Sequence, residues 1–379
     1  MAETRITSLR FDEVIVPARP SVINSKGLDR PLHMLPVAGK KGWSTQFDQL
    51  PKLVLRLELS NGIVGLGEFY RDHDWNTIDA VAQNLLGMNI DAMALQDLPI
   101  SLCREYDGFE CAIWDAVAKN YGVPLVKLLG GAVQNKIKVG AWSSHRKLDE
   151  VGDWIAQYRQ QGYDTIKFKA DLEDDVVALC EQAAKKAPGM AIIFDPNQRW
   201  ENLAVAKPII KALEAIGNVL LLEDPLPKWM MQDYADLRFF TSIPIVQHVS
   251  LPYVYQGQRA HDSANLIAHR AVDGFNFNAG IAKFQQLTAV ASAANMFCWH
   301  GSEIDLGILE AMYLHQAAAA ACCVWPSDIF GRLIREHDLL TQPLLIEPPY
   351  ATLPRGPGLG VTLDPEALAA YATCSREYS

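Results

Sequence analysis

The fold of this chain is decided by six short stretches: DTIKFKA (164–170), AIIFDPN (191–197), VLLLEDP (219–225), IPIVQHV (243–249), GFNFNAG (274–280) and MFCWHG (296–301). Each is largely apolar, and amphipathic segments such as EDDVVALCEQAAKKA (173–187) lie between them. Strands that alternate with helices in this way are typical of parallel sheets with crossover helices. With IKVGAWSS (137–144) ahead of them, the series indicates about eight strands and favours a barrel over an open sheet.

The first 131 residues have a different pattern of polar and apolar residues. LVLRLELSNGIVGLGE (53–68) alternates polar and apolar residues around Asn61-Gly62, which predicts a β-hairpin. Between Trp75 and Gly131 the apolar spacing becomes helical, as in FECAIWDAVAKNYG (109–122). Strands followed by helices predict a separate α+β domain.

Composition excludes several classes of protein. The 379 residues suit two domains, or one barrel with an attached cap, and 49% of them are apolar. A net charge of −10 without a Lys/Arg-rich stripe argues against nucleic-acid binding. No apolar run reaches the roughly 20 residues of a membrane span, and the N-terminus lacks a signal-peptide pattern. Seven cysteines without a C-x-x-C pair indicate reduced thiols, so we expect a cytoplasmic enzyme.

Polar residues end the otherwise apolar strands at regular intervals. Four of them follow one another at spacings of 26, 28 and 25 residues: Lys169, Asp195, Glu223 and His248. His300 lies 52 residues further on, with Asn278 near the intervening position. One such step is one strand–helix unit, so these side chains are predicted to share the C-terminal rim of the barrel, where barrel enzymes carry their chemistry.

Several motifs together resemble the enolase superfamily, specifically its mandelate racemase and muconate-lactonising branch, over nearly the whole chain. They are NGIVGLGE (61–68), ECAIWDAVAKNYGVPLVKLLGG (110–131), IKFK (166–169), FDPNQRW (194–200), LLEDPL (221–226) and GPGLGV (356–361). The resemblance implies an α/β fold with a modified TIM barrel of the (β/α)7β type. It also implies an α+β capping domain at 1–131, a barrel at 132–335 and a C-terminal segment at 336–379 that returns to the cap.

Lys167 and Lys169 alternate with Ile166 and Phe168, so both lysines are expected to face the barrel mouth. Near a metal and a second ammonium group, the pKa of such a lysine should fall. By resemblance, Lys169 is the catalytic base, and Lys167 tunes it and contacts the substrate carboxylate. The alternative is a pair of surface lysines on an edge strand.

Asp195 and Glu223 offer the hard carboxylate oxygens that suit Mg²⁺, and Asn197 is expected to hold substrate or a ligand's second oxygen. A helix N-cap is the alternative role for Asp195. His248 falls at the position of the family's third, acidic ligand. An imidazole there would weaken Mg²⁺ binding and favour Mn²⁺ or another divalent metal. In the alternative interpretation His248 only packs, and the metal has been lost.

His300 in CWHGSE (298–303) matches the family's barrel histidine. Racemase-like members orient that histidine with an aspartate, and lactonising members carry a lysine in the aspartate's place. Here the corresponding residue is Asn278. Asp305 and Glu303 are nearby acids that are expected to take over, or to contact the substrate.

The resemblance implies metal-dependent removal of a proton next to a carboxylate, with the enediolate stabilised electrostatically. The leading hypothesis is dehydration of an aldonate or aldarate to a 2-keto-3-deoxy acid, with Lys169 as base and His300 or a neighbour as acid. The alternatives are a racemase or epimerase of a 2-hydroxy acid and a catalytically silent binding protein.

A homo-oligomer is expected by analogy alone. By resemblance, the loop between Ser21 and Gly42 lies over the barrel mouth, so its residues Arg30, His33 and Lys40 are candidates for recognising the small carboxylate substrate; the alternative for each is a solvated loop residue.

Overall fold

The computed structural model describes residues 3–23, 50–71, 73–249 and 259–379. The loop candidates Arg30, His33 and Lys40 lie outside the described residues. Within this part of the chain, every helix is too short or too polar to traverse a lipid bilayer. All seven cysteines are free thiols, as their scattered positions predict.

The cap is built on an antiparallel sheet whose strands come from both ends of the described chain. Its order is β14-β1-β2-β3. The strands are β1 (Ile6–Ile15), β2 (Pro51–Leu59), β3 (Val64–Phe69) and β14 (Ala372–Tyr378). The hairpin predicted at Asn61-Gly62 joins β2 to β3, and Gly62 takes a φ of +82°, a conformation that favours glycine.

The cap helices are α1 (Trp75–Leu85), α2 (Tyr106–Asn120) and α3 (Leu125–Leu128), with a short 3₁₀ turn at Ile90–Ala92. Helix α2 lies directly on β3. A Cβ atom at Gly65 would come within 2.2 Å of the Ala112 carbonyl oxygen, and one at Gly67 within 2.4 Å of the Gly108 carbonyl oxygen. The two glycines therefore allow helix and strand backbones to touch, which explains their place in the NGIVGLGE motif.

The barrel contains a seven-stranded parallel sheet in the order β11-β10-β9-β8-β7-β6-β5. Its strands are β5 (Ala141–Ser143), β6 (Thr165–Lys169), β7 (Ala191–Asp195), β8 (Val219–Glu223), β9 (Ile245–Val249), β10 (Gly274–Phe277) and β11 (Phe297–His300). The helices that follow them are α4 (Leu148–Gln160), α5 (Val176–Lys186), α6 (Leu203–Ile216), α7 (Met231–Phe240), α8 (Arg259–Ala268), α9 (Ile281–Ala293) and α10 (Gly307–Ala319). The predicted α/β fold, a modified TIM barrel with an α+β cap, is confirmed.

An irregular segment, residues 323–327, lies between the two edges of this sheet. Cys323 forms a parallel bridge to Cys298 of β11, and Ser327 forms one to Val139, just before β5. The remaining elements are β4 (Lys136–Lys138), β12 (Ile346–Glu347), β13 (Tyr350–Thr352), α11 (Gly331–Ile334) and α12 (Pro365–Tyr371). Strands β4, β12 and β13 form a small antiparallel sheet.

Side-chain alternation along the barrel strands fixes which residues face the interior. One apolar cluster fills the barrel: Ile193, Leu221, Val246 and Trp299. Their neighbours along the strands, such as Phe194 and Leu222, belong to the larger core between sheet and helices. Residues two positions beyond the interior cluster on β7, β8 and β9 therefore face the interior at the C-terminal end.

Candidate active site

Lys167 lies among three carboxylates at the C-terminal end of the barrel. Its Nζ atom is 2.7 Å from Glu223 Oε2, 2.9 Å from Asp328 Oδ2 and 3.8 Å from Asp195 Oδ2. Burial disfavours the charged form, but the three carboxylates together raise the pKa of Lys167 above its usual range. Lys167 is therefore held as an ammonium group in this cluster.

Lys169 is ion-paired with Asp195 and is the most exposed of these side chains. Its side chain is 18% exposed, against 6% for Lys167 and 1% for Asp195. Both lysines therefore face the barrel mouth, and the alternative of a surface pair on an edge strand does not apply.

The second oxygen of Asp195 is held by Asn197. Asp195 Oδ1 accepts hydrogen bonds from the backbone N–H of Asn197 at 3.0 Å and from its Nδ2 at 2.8 Å. The following helix, α6, is capped by Asn202, so Asp195 is not the helix cap that the sequence left open. Asn197 thus orients a candidate metal ligand, which is one of the two roles expected for it.

Glu223 is fully buried and is contacted by residues of three neighbouring strands. Its Oε1 accepts a hydrogen bond from Asn276 Nδ2 at 2.8 Å and lies 3.4 Å from His248 Nδ1. Burial and the nearby Asp195 raise the pKa of Glu223 to about 8, against the attraction of Lys167. The glutamate therefore lies where additional positive charge would stabilise its ionised form.

Asp328 and Asn276 are site residues that the sequence analysis missed. Asp328 follows the irregular segment 323–327 and contacts Lys167, whereas Asn276 faces the barrel two residues before the expected Asn278. A signal existed for both, because Asn276 lies 28 residues after His248 and Asp328 lies 28 after His300. WPSDIF (325–330) shows no strand-like alternation, which conceals the carboxylate.

The structure does not bring His300 to the carboxylates around Lys167. Trp299 occupies the barrel interior, so the next residue along β11 faces the surrounding helices. The His300 ring is fully buried and stacks between Phe284 and Tyr313, at centroid distances of 4.5 and 3.8 Å. Its Nδ1 contacts the Gly301 carbonyl oxygen at 2.7 Å, and its Nε2 contacts Gln316 Oε1 at 3.0 Å.

Asn278 is not the partner of His300 that its position suggested. Its Oδ1 accepts a hydrogen bond from the Tyr70 hydroxyl of the cap at 2.8 Å, and its carbonyl oxygen accepts one from Arg259 at 3.1 Å. The residue therefore links β10 to the cap and to the start of α8.

Asp305 and Glu303 likewise lie in buried contacts between barrel and cap rather than beside Lys169. Asp305 forms an ion pair with Lys52 of β2 and accepts a hydrogen bond from the Tyr313 hydroxyl at 2.7 Å. Glu303 Oε2 lies 3.0 Å from a guanidinium nitrogen of Arg71. Both carboxylates are thus engaged by cations of the cap.

An α/β barrel with a lysine pair among strand-end carboxylates, covered by an α+β cap, defines a class of enzyme that acts on small carboxylates. Residues 150–367 match the family described as Enolase C-terminal domain-like, and the chain belongs to this family. It is a member of the mandelate racemase and muconate-lactonising branch of the enolase superfamily, as the motifs indicated.

Relatives with different activities cover nearly the whole chain. Muconate cycloisomerase 1 from Rhodococcus opacus is 26% identical over 372 residues, covering 91% of this chain and 96% of the relative. A probable glucarate dehydratase from Streptomyces coelicolor is 24% identical over 423 residues, covering 96% and 90%.

Solved structures show the same fold. The N-succinyl Arg/Lys racemase from Bacillus cereus superposes with a TM-score of 0.82 at 20% identity, covering 99% of this chain and 100% of the racemase. The muconate lactonizing enzyme from Pseudomonas fluorescens gives 0.81 at 22% identity, covering 98% and 100%.

Enolase superfamily members use a divalent metal, typically Mg²⁺, and bind small carboxylate substrates. No three His, Cys, Asp or Glu side chains among the described residues are already gathered into a metal site. The donor chemistry and the charge nevertheless fit one. In their ionised forms, three carboxylates (Asp195, Glu223, Asp328) outnumber two ammonium groups (Lys167, Lys169), which leaves one negative charge in a buried cluster. A divalent ion would make this charge +1, and a substrate carboxylate would then neutralise it.

Proposed function

We propose that this protein removes the proton next to a substrate carboxylate with Lys169 as the base, and that the reaction is dehydration of a sugar acid to a 2-keto-3-deoxy acid. The observation that carries this proposal is the exposure of the Lys169 amine beside a buried set of acidic groups. A substrate that enters from the barrel mouth meets this amine first. The probable glucarate dehydratase among the relatives supports the choice of reaction.

Asp195, Glu223 and His248 are the residues that would hold a divalent ion. When bound, the ion supplies electrostatic stabilisation of the negative charge that develops on the substrate carboxylate. Lys167 contributes a fixed positive charge to the same place, because its ammonium lies within 3 Å of Glu223 and Asp328. Asn197 keeps Asp195 oriented through its two hydrogen bonds.

Lys169 alone can carry out both proton transfers of the proposed reaction. Its neutral amine takes the α-hydrogen as a proton, and the electrons of the broken C–H bond enter the enediolate. The C–O bond to the β-hydroxyl then breaks, and the proton now on Lys169 leaves with that oxygen as water. The resulting enol tautomerises to the 2-keto acid. Because His300 is buried between two rings, it has no part in this scheme.

The test is incubation of the protein with a panel of aldonic and aldaric acids and Mg²⁺ or Mn²⁺, with detection of 2-keto-3-deoxy products. Lys169→Arg keeps a cation beside Asp195 but is not a base at neutral pH, so we expect a loss of about 10²–10⁴-fold. Lys186→Met, on an exposed pair with Asp153, is the control and should keep full activity. Absence of product and of α-deuterium exchange from D₂O across the panel would refute the proposal.

Cycloisomerisation of a muconate is the second candidate, favoured by the relative from Rhodococcus opacus. It predicts an isomeric lactone with no loss of water, so mass spectrometry of the products separates it from dehydration. Racemisation is disfavoured, since it needs a second base facing Lys169 and His300 is buried elsewhere. Metal analysis in millimolar Mg²⁺ and Mn²⁺ tests the silent-protein alternative, which predicts a site that binds neither ion.

A further inference from the structure

The third candidate ligand is an imidazole held against Glu223. His248 Nδ1 lies 3.4 Å from Glu223 Oε1. The backbone around it is fixed, because its N–H donates to Asp224 Oδ1 at 3.0 Å and its carbonyl oxygen accepts a hydrogen bond from Lys228. The histidine is therefore kept at the end of β9, next to the glutamate.

The ring of His248 lies against Gly301, the residue that follows β11. A Cβ atom at Gly301 would lie 2.9 Å from His248 Nε2 and 2.2 Å from Asn276 Oδ1, so the two side chains occupy the space that glycine leaves. Asn276 pairs in register with His248 across β9 and β10, and it also binds Glu223. The imidazole, the amide and the carboxylate thus form one layer across three adjacent strands.

The separation of the two donor atoms is compatible with one shared ion. Two ligand atoms at right angles on bonds of about 2.1 Å are about 3 Å apart. The 3.4 Å between His248 Nδ1 and Glu223 Oε1 is close to that value. Small side-chain shifts are enough for both atoms to contact the same cation.

We propose that His248 makes this site selective for later first-row divalent ions, such as Co²⁺, over Mg²⁺. Mg²⁺ prefers oxygen ligands, whereas imidazole nitrogen suits transition metals, and the order of affinity rises from Mn²⁺ to Co²⁺. The inference rests on the metal site of the proposed function and adds the identity of the preferred ion.

The test is calorimetric titration of the untagged protein with Mg²⁺, Mn²⁺ and Co²⁺, compared with the variants His248→Asp and His269→Gln. We expect the Co²⁺ to Mg²⁺ affinity ratio to fall at least about tenfold in His248→Asp, because a carboxylate replaces the nitrogen donor. His269 is exposed, so His269→Gln should leave the ratio unchanged. The visible spectrum of bound Co²⁺ should also change in His248→Asp, which a merely structural histidine would not cause.

An unchanged ratio and spectrum in His248→Asp would overturn the inference while leaving the proposed metal site intact. Equal affinity of the wild-type protein for Mg²⁺ and Co²⁺ would do the same. If none of the three ions binds the wild-type protein, the metal site of the proposed function fails as well. A variant that melts well below the wild type is replaced by His248→Asn, for which we expect the same fall in the ratio.

Discussion

Replacing Lys52 with methionine would leave two buried carboxylates of the cap–barrel interface without their cation. Lys52 is on β2, forms an ion pair with Asp305 and lies 3.3 Å from Glu68 Oε1. All three side chains are at most 2% exposed. Methionine keeps much of the aliphatic volume of lysine, so the perturbation is chiefly electrostatic.

Removal of one partner of a buried ion pair costs about 3–5 kcal/mol, because the remaining charge is left without compensation. Two carboxylates lose Lys52, so we expect the free energy of unfolding to fall by about 4–5 kcal/mol at pH 7. Burial already raises the pKa of Glu68, and loss of Lys52 would raise it further. A carboxyl group whose pKa is higher in the folded than in the unfolded protein makes the protein less stable as the pH rises. The stability difference between Lys52→Met and the wild type should therefore become smaller towards pH 5.

Urea unfolding followed by circular dichroism and tryptophan fluorescence measures this effect. Adding Asp305→Asn to Lys52→Met removes one uncompensated charge, so the double variant should be more stable than the sum of the single effects by about 0.5–3 kcal/mol. Lys186→Met breaks an exposed ion pair with Asp153 and should cost at most about 1 kcal/mol. A loss below about 1 kcal/mol in Lys52→Met, with no coupling to Asp305, would refute the reasoning.

Two further predictions test buried titratable groups. Burial and Asp107 raise the pKa of Glu110 to about 8. The free energy of unfolding of the wild type should therefore fall between about pH 4 and 8, as the folded protein gives up that proton. The urea midpoint of Glu110→Gln should fall less over the same pH range. Parallel midpoints for the two proteins would contradict this expectation. Burial lowers the pKa of His300 to about 4, so His300→Gln should lower the melting temperature but leave the pH profile of α-proton exchange between pH 5 and 9 unchanged. Loss of one limb of that pH profile in His300→Gln would contradict this expectation and indicate that His300 takes part in the reaction.

Strand spacing predicted which residues meet at the C-terminal end of the barrel because one strand–helix unit has a nearly constant length. Lys169, Asp195 and Glu223 fall at equivalent heights on β6, β7 and β8; the two carboxylates lie beside Lys167, and Lys169 pairs with Asp195. His248 follows on β9 by the same rule. Apolar alternation also predicted the cap hairpin, because every second residue of β2 from Leu53 to Leu59 packs into the apolar core of the cap.

Spacing does not determine which face of a strand a residue occupies. A shift of one residue reverses the direction of every side chain, and β11 has only four residues from which to judge it. His300 therefore faces the helices although its position along the barrel is as expected. Asp305 was judged from nearness in sequence to His300, but only tertiary contacts reveal that Lys52, more than 250 residues earlier, binds it.

The pairing of β1 with β14 has a consequence for synthesis on the ribosome. Strand β14 begins about 300 residues after β3 ends, so at roughly 5–20 residues per second it follows by about 15–60 s. During that interval β1 presents an uncovered edge, and uncovered strand edges recruit other chains. The nascent cap is thus the part of this protein for which we expect the greatest dependence on chaperones.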